Sequence, residues 1–236
     1  MTDGIAGEDE EAPLTPAERA GAKGRAARSA VAAVEPGMLV GLGTGTTAAC
    51  AIRALAARVG DGLRVRCVAT SRASAALAAS LGLDLAAFDD RATVDLAIDG
   101  ADEVDPRLRA IKGAGGALLR EKIIARAATR MICIVDATKL VAHLGQRPVP
   151  MEVLPFARTY VAAAITALGG APVLRDGLTD QGNAILDCGF PPIDHPPALD
   201  RALSAVAGLL GHGLFLNEID ELHVGGRTGV EIRRRG

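Results

Sequence analysis

The sequence predicts an α/β protein: a doubly wound, mostly parallel sheet with a second, smaller α+β domain inserted before the last strand. Three observations lead there. Short apolar runs alternate with Ala- and Leu-rich helical segments over the first part of the chain, and Gly-rich or hydroxyl-rich turns follow those runs. Beyond Pro148 the rhythm breaks into shorter segments punctuated by Pro150, Pro155, Gly169-Gly170, Gly177 and the pairs Pro191-Pro192 and Pro196-Pro197.

Residues 1–14, MTDGIAGEDEEAPL, are acidic with little to pack, which predicts a mobile extension. Thr15-Pro16 opens an Ala-rich helix that runs to Val34 and stops at Glu35-Pro36-Gly37. Strands are expected at Met38 to Val40, Val65 to Val68, Val94 to Ile98 and Met131 to Val135, with Leu83 to Ala86 a weaker candidate. A late strand at Leu222-His223-Val224 returns to the main sheet. The catalytic α/β domain is therefore expected over residues 15–147 plus 222–236. The small α+β domain covers 148–221, with a strand at Ala184 to Asp187 and a helix over Ala198 to Leu210.

The chain has 236 residues, 49% hydrophobic and 23% charged, with a formal net charge of -2, so it can bury a large core and is not disordered as a whole. That balance offers no clustered basic face for nucleic acid or an acidic membrane, so a small partner is expected. Cys50, Cys67, Cys133 and Cys188 are scattered, which predicts buried free thiols. With no signal peptide, lipidation motif or apolar stretch of bilayer length, a cytoplasmic protein is expected.

Ligands of open parallel sheets bind beyond the carboxyl ends of the strands. The turn Gly41-Leu42-Gly43-Thr44-Gly45-Thr46-Thr47 suits phosphate or hydroxyl capture, since glycines let backbone N–H groups approach an anion at a helix N-terminus and the threonines add donors. A tight strand-to-helix turn explains the same residues without a ligand. No acid ends the second strand to hold a ribose and no Gly-Lys-Ser/Thr is present, which demotes NAD and ATP. Asp95, Asp99, Asp102, Glu103 and Asp105 crowd the next strand end, and Lys112-Gly113-Ala114-Gly115-Gly116 opens a helix soon after. Carboxylates beside a lysine suggest acid–base work, although loop acids are commonly only solvated. No ligand spacing suggests a metal. Helical spacing places Leu119, Ile123 and Ala127 on a different face from Glu121, so pattern alone makes Glu121 a surface residue, and Lys139 likewise.

Together GLGTGTTA, TSRAS, DLAIDGADEVD, KGAGGALLREKIIA and ICIVDATKLV, in this order, resemble the ribose-5-phosphate isomerase type A family, and VPMEVLPFA, NAILD and GVEI continue the likeness after residue 20. The resemblance implies an aldose–ketose isomerase interconverting ribose 5-phosphate and ribulose 5-phosphate, without metal or organic cofactor, as a homodimer or homotetramer. It makes Glu121 the base moving a proton between C1 and C2, against the surface reading. Lys112 is then the candidate for stabilising the enediolate, and Asp99 and Asp102 for ring opening and hydroxyl proton transfer. Thr44, Gly45, Thr46, Thr47, Asp99, Gly100, Ala101, Asp102, Lys112, Gly113, Ala114, Gly115 and Lys139 match substrate-contacting positions, and Lys23 is a further phosphate candidate. Departures lie at Val104-Asp105-Pro106, in HVGGRTGVEI and in the acidic extension. Two rivals are a related isomerase, deaminase or CoA-transferase on the same scaffold, and a non-catalytic sugar-phosphate sensor. The full set of motifs disfavours the first, and the short segment before the first helix leaves no room for the second's DNA-binding module.

Overall fold

The computed structural model describes residues 14–236, so the expected extension, save Leu14, lies outside the described residues. In chain order the elements are α1 (Pro16–Val31), β1 (Leu39–Leu42), α2 (Thr46–Gly60), β2 (Arg66–Ala69), α3 (Arg72–Ser80) and β3 (Val94–Gly100). There follow β4 (Glu103–Val104), β5 (Ala110–Ile111), α4 (Leu118–Ala127), β6 (Ala128–Asp136), β7 (Val149–Val153), α5 (Arg158–Ala167) and β8 (Ala171–Leu174). The chain ends with β9 (Ala184–Gly189), α6 (Pro196–Ser204), β10 (Leu209–His212), β11 (Leu214–Phe215), β12 (Glu221–Gly225) and β13 (Val230–Arg234).

The main sheet has six strands in the order β13-β12-β6-β3-β1-β2. All neighbours are parallel except the edge pair β12 and β13. The chain starts at β1, steps outward to β2, then crosses back to place β3 on the other side of β1. Strand order thus reverses between β1 and β3, and a crevice opens at their carboxyl ends.

Helix α1 is started by a capping box in which the Thr15 hydroxyl accepts from the Glu18 N–H and the Glu18 carboxylate accepts from the Thr15 N–H. It ends at Val31, a turn short of the expected Val34. Its alanines Ala22, Ala26, Ala27 and Ala30 are fully buried, and small side chains let it lie close over β6 and β12. One apolar cluster packs α1, α2 and α3 on one face of the sheet, and a second packs α4 and the β4–β5 region on the other.

The expected return strand is β12, paired parallel to β6. Beyond it lies β13, an edge strand that was not expected because its charged VEIRR pattern lacks an apolar run, as suits a strand open to solvent. The smaller layer precedes two strands of the main sheet, not one. The candidate strand at Leu83 to Ala86 reduces to a single bridge from Leu85 to Cys67.

The smaller layer is an antiparallel sheet in the order β10-β7-β9-β8, covered by α5 and α6 over a third apolar cluster. The helix expected over Ala198 to Leu210 stops at Ser204, and Leu209–His212 is instead strand β10. Gly208, at φ +85, turns the chain back there, and strand pairing with β7 overrides the apolar spacing. A third, three-stranded sheet, β11-β5-β4, joins the two layers. All four cysteines are free; three are buried and Cys50 is half-buried, less than expected. Among the described residues no helix is long and apolar enough to cross a membrane.

Candidate active site

At the reversal point β1 is followed by the turn Gly43-Thr44-Gly45. The Cβ of any other residue at Gly43 would stand 2.0 Å from Asp99 Oδ1, so the carboxylate can occupy its position only against glycine. Gly45 adopts φ +97 and leads into α2, whose N-terminus has no side-chain cap among the described residues. The first N–H groups of α2 are thereby left for an anion. Thr46 receives a 2.9 Å hydrogen bond from the Lys23 ammonium of α1, while the Thr44 hydroxyl pairs with Thr70 at 2.8 Å.

Asp99, the penultimate residue of β3, is buried and fully engaged. Its Oδ1 accepts from the N–H groups of Thr44 at 3.1 Å and Gly100 at 2.7 Å, and its Oδ2 accepts from the Lys112 ammonium at 2.8 Å. Lys112 also donates to the Gly100 carbonyl and lies 3.2 Å from Glu121 Oε2. That carboxylate oxygen is buried and has no hydrogen bond from any described residue. Lys112 and Glu121 are only 2% and 4% exposed, so their charges act on each other with little water between them.

Burial pushes the Glu121 carboxyl up, the charge on Asp99 pushes it further, and Lys112 only partly offsets them. For Lys112, burial pulls the ammonium down, but Asp99 and Glu121 outweigh it and hold the group well above the ordinary lysine range. An ammonium held in its charged form therefore sits beside a carboxyl that burial holds above the ordinary glutamate range.

The surface position that helical spacing assigns to Glu121 is wrong. In α4 the buried residues are Leu118, Glu121, Lys122, Ile124 and Ala125, while Ile123 is 46% exposed. The apolar spacing does not mark the inward face because that face buries Glu121 and Lys122 together with Leu118, Ile124 and Ala125. Lys122, which drew no notice in the sequence, donates to the Leu214 carbonyl at 2.7 Å, and burial pulls its ammonium down to about 8. Both ammonium groups lie over the Phe215 ring, that of Lys112 5.2 Å and that of Lys122 4.9 Å from its centroid. His212, beside Lys122, is driven down to about 3 by burial and by the charges of Lys122 and Arg126, and is neutral.

Above this buried group opens a cleft of about 200 Å³. Its walls are Lys23 and the Thr44–Thr47 turn on one side, Gly100, Ala101 and Asp102 on another, the Gly113–Gly115 loop opposite, and Lys139, with Lys112 and Glu121 at its floor. Every expected site residue borders the cleft except Asp99, which lies behind Lys112. Asp102 is partly exposed and accepts the Ala114 N–H at 3.0 Å. Lys139, in a short helical turn after β6, is lowered by burial and by the nearby charge of Arg147. The other acids of the cluster do structural work: Asp95 accepts from the Leu39 N–H, Glu103 from the Gly145 N–H, and Asp105 binds Arg109. Among the described residues no group of three or more His, Cys, Asp or Glu side chains is arranged to hold a metal ion.

A cleft this size is below the roughly 300–1,000 Å³ that accommodates drug-sized ligands. Fold and site together define the doubly wound α/β class with a small cleft over a buried lysine and two carboxylates at the carboxyl edge of the sheet. Residues 66–229 match the family described as ribose 5-phosphate isomerase A, or phosphoriboisomerase A. The chain is 51% identical to the ribose-5-phosphate isomerase A of Sphingopyxis alaskensis, covering 91% of this chain and 96% of that one. Its fold superposes with a TM-score of 0.88 on a D-ribose-5-phosphate isomerase solved in complex with phospho-erythronic acid, at 38% identity over 91% of this chain and 98% of that one. A TM-score of 0.87 relates it to ribose 5-phosphate isomerase A of Methanocaldococcus jannaschii, at 37% identity over the same shares. The chain belongs to the ribose 5-phosphate isomerase A family, a family of aldose–ketose isomerases.

Proposed function

We propose that this chain interconverts ribose 5-phosphate and ribulose 5-phosphate through an enediolate, with Glu121 as the general base. The observation that carries this reading is the buried Glu121 carboxylate oxygen, without a hydrogen bond and 3.2 Å from the Lys112 ammonium at the floor of a small polar cleft. Glu121 removes the proton from C2 of the open-chain aldose and returns it to C1. The negative charge that develops on the oxygens is met by Lys112, whose ammonium is already in place and needs no reorganisation. The hydroxyl proton passes between O1 and O2 through Asp102, which borders the cleft and keeps acceptor capacity; it also serves ring opening. Asp99, whose oxygens are occupied by two backbone N–H groups and Lys112, sets the position of that ammonium.

The phosphate is assigned to the uncapped N-terminus of α2, with Thr46, Thr47, Lys23 and Lys139 around it. A solved relative holds phospho-erythronic acid, a phosphorylated sugar acid of the same chemical class. Assembly as a homodimer or homotetramer is supported by Phe156, Tyr160, Val173 and Leu178, large apolar side chains left exposed on the smaller layer.

The test is conversion of ribose 5-phosphate by purified protein in excess EDTA, followed across pH. Robust turnover is expected. Because the base works only when ionised, and burial raises Glu121 above its ordinary 4.5, kcat/KM falls as pH drops through that raised value. Binding without turnover would transfer the reading to a sugar-phosphate sensor, and an acid limb near 4.5 would remove Glu121 as the base. Gly43→Ala drives Asp99 off Lys112 and is expected to lower turnover by about 10²-fold, the scale of an ångström-sized misplacement. Unchanged turnover in that variant would show that Asp99 need not stand where it does.

A further inference from the structure

Arg175 follows β8 in the smaller layer and belongs to none of the motifs of the main sheet. Its guanidinium is divided between two tasks. Nε and Nη2 donate to the two oxygens of Asp187 on β9, at 2.8 and 2.5 Å. Nη1 turns the other way and donates to the backbone carbonyls of Gly113 at 3.3 Å and Ala114 at 3.1 Å. The Arg175 backbone is itself fixed, its N–H donating to the Ile185 carbonyl at 2.9 Å.

In a trans peptide unit the C=O and N–H point in opposite directions. The unit joining Gly113 to Ala114 therefore presents its carbonyl to Arg175 and its N–H to Asp102 Oδ2, 3.0 Å away. The next unit presents the Ala114 carbonyl to Arg175 and turns the Gly115 N–H away from it, and Gly115 borders the cleft. This loop has little stiffness of its own: Gly113 and Gly116 adopt φ +107 and +77, and its one internal backbone hydrogen bond runs from the Gly116 N–H to the Gly113 carbonyl. The planar fork of an arginine can grip a carboxylate and two carbonyls at once; a lysine cannot.

We infer that Arg175, clamped by Asp187, is a positioning residue that fixes two successive peptide planes of the Gly113–Gly115 loop, one amide on Asp102 and the next toward the substrate. The inference rests on the isomerase reading for its kinetic consequence, but not for its structural one. Geometry of the cleft is thus set partly from the smaller layer.

The experiment compares Arg175→Ala and Arg175→Lys with the parent in kcat, KM, unfolding midpoint and amide hydrogen exchange of residues 113–116 without substrate. Arg175→Ala is expected to lower kcat/KM by about 10- to 10²-fold, consistent with a displaced but intact site. Exchange at Ala114 and Gly116 speeds up, and added guanidinium at low concentration recovers part of the activity. Arg175→Lys, which keeps charge and bulk should the alanine variant not fold, is expected to lose most of the same activity and show the same faster exchange. Parental kcat/KM in either folded variant, or a loss with unchanged exchange at those two amides, overturns the inference. If the parent itself does not isomerise ribose 5-phosphate, the isomerase reading fails, while amide exchange still decides whether Arg175 holds the loop.

Discussion

Glu121→Gln is expected to lower turnover of ribose 5-phosphate by about 10²- to 10⁴-fold while the protein folds and binds substrate as before. Glutamine matches the shape of the glutamate and keeps the packing of α4 against the floor of the cleft. It cannot take a proton from carbon. The substitution also replaces a carboxyl whose ionisation burial disfavours with a neutral amide of the same shape, so the unfolding midpoint should hold or rise. The ion pair between Lys112 and Asp99 is untouched, at 2.8 Å, and continues to hold the ammonium in place. Measuring kcat, KM and thermal unfolding on one preparation separates the cases. Near-parental turnover would take the base away from Glu121, and a collapse in unfolding midpoint would mean that the carboxylate serves the fold.

Lys112→Ala is expected to cost a comparable share of turnover for a different reason and to be far harder on the fold. Loss of one preorganised charge facing a developing oxyanion costs about 10²- to 10³-fold in kcat. The same change leaves Asp99 and Glu121 as buried neighbours without their common cation. Removing one partner of a buried pair destabilises by about 3–5 kcal/mol. With Lys112 gone, the positive charge that offsets part of the effect of burial on Glu121 is lost, so the acid limb of kcat/KM moves to higher pH. Lys112→Gln, which fills more of the space, provides the same comparison if the alanine variant is too unstable. A rise in KM with kcat unchanged would make Lys112 a binding residue.

Much of this architecture was legible in the sequence because the strands of the main sheet are short apolar runs and the turns after them carry glycine, hydroxyl and acid. The strands β1, β2, β3, β6 and β12 fall within a few residues of the runs that predict them. Where reading failed, a tertiary contact had overridden a local pattern. Gly208 and pairing with β7 convert the end of an apolar helical stretch into β10, and β13 exists because β12 offers it an edge. Within the site, no local pattern separates Asp99 and Asp102 from Asp95, Glu103 and Asp105; all five lie around one strand end, and only folding sends them to different partners. Helical periodicity misplaces Glu121 because it assumes that buried faces are apolar, and α4 turns Glu121 and Lys122 inward. Resemblance supplied the assignment that periodicity could not. Lys122 was marked only by standing beside Glu121, and Arg175 by nothing in its own segment, since its partners Gly113 and Ala114 lie about sixty residues earlier.

The three-stranded sheet that joins the two layers also governs when the site comes into being. Lys112 stands directly after β5, which pairs with β11, and its own N–H is bound by the Gly213 carbonyl, while the Gly213 N–H reaches Pro150. The residue that carries the central charge of the cleft is therefore held in place by chain made about a hundred residues later. A nascent chain emerging from the ribosome can pair β1 with β2 and β3 early, but it has no finished floor under the cleft until β11 has arrived. Completing the floor of the cleft is thus a long-range event of folding that closes about a hundred residues of chain.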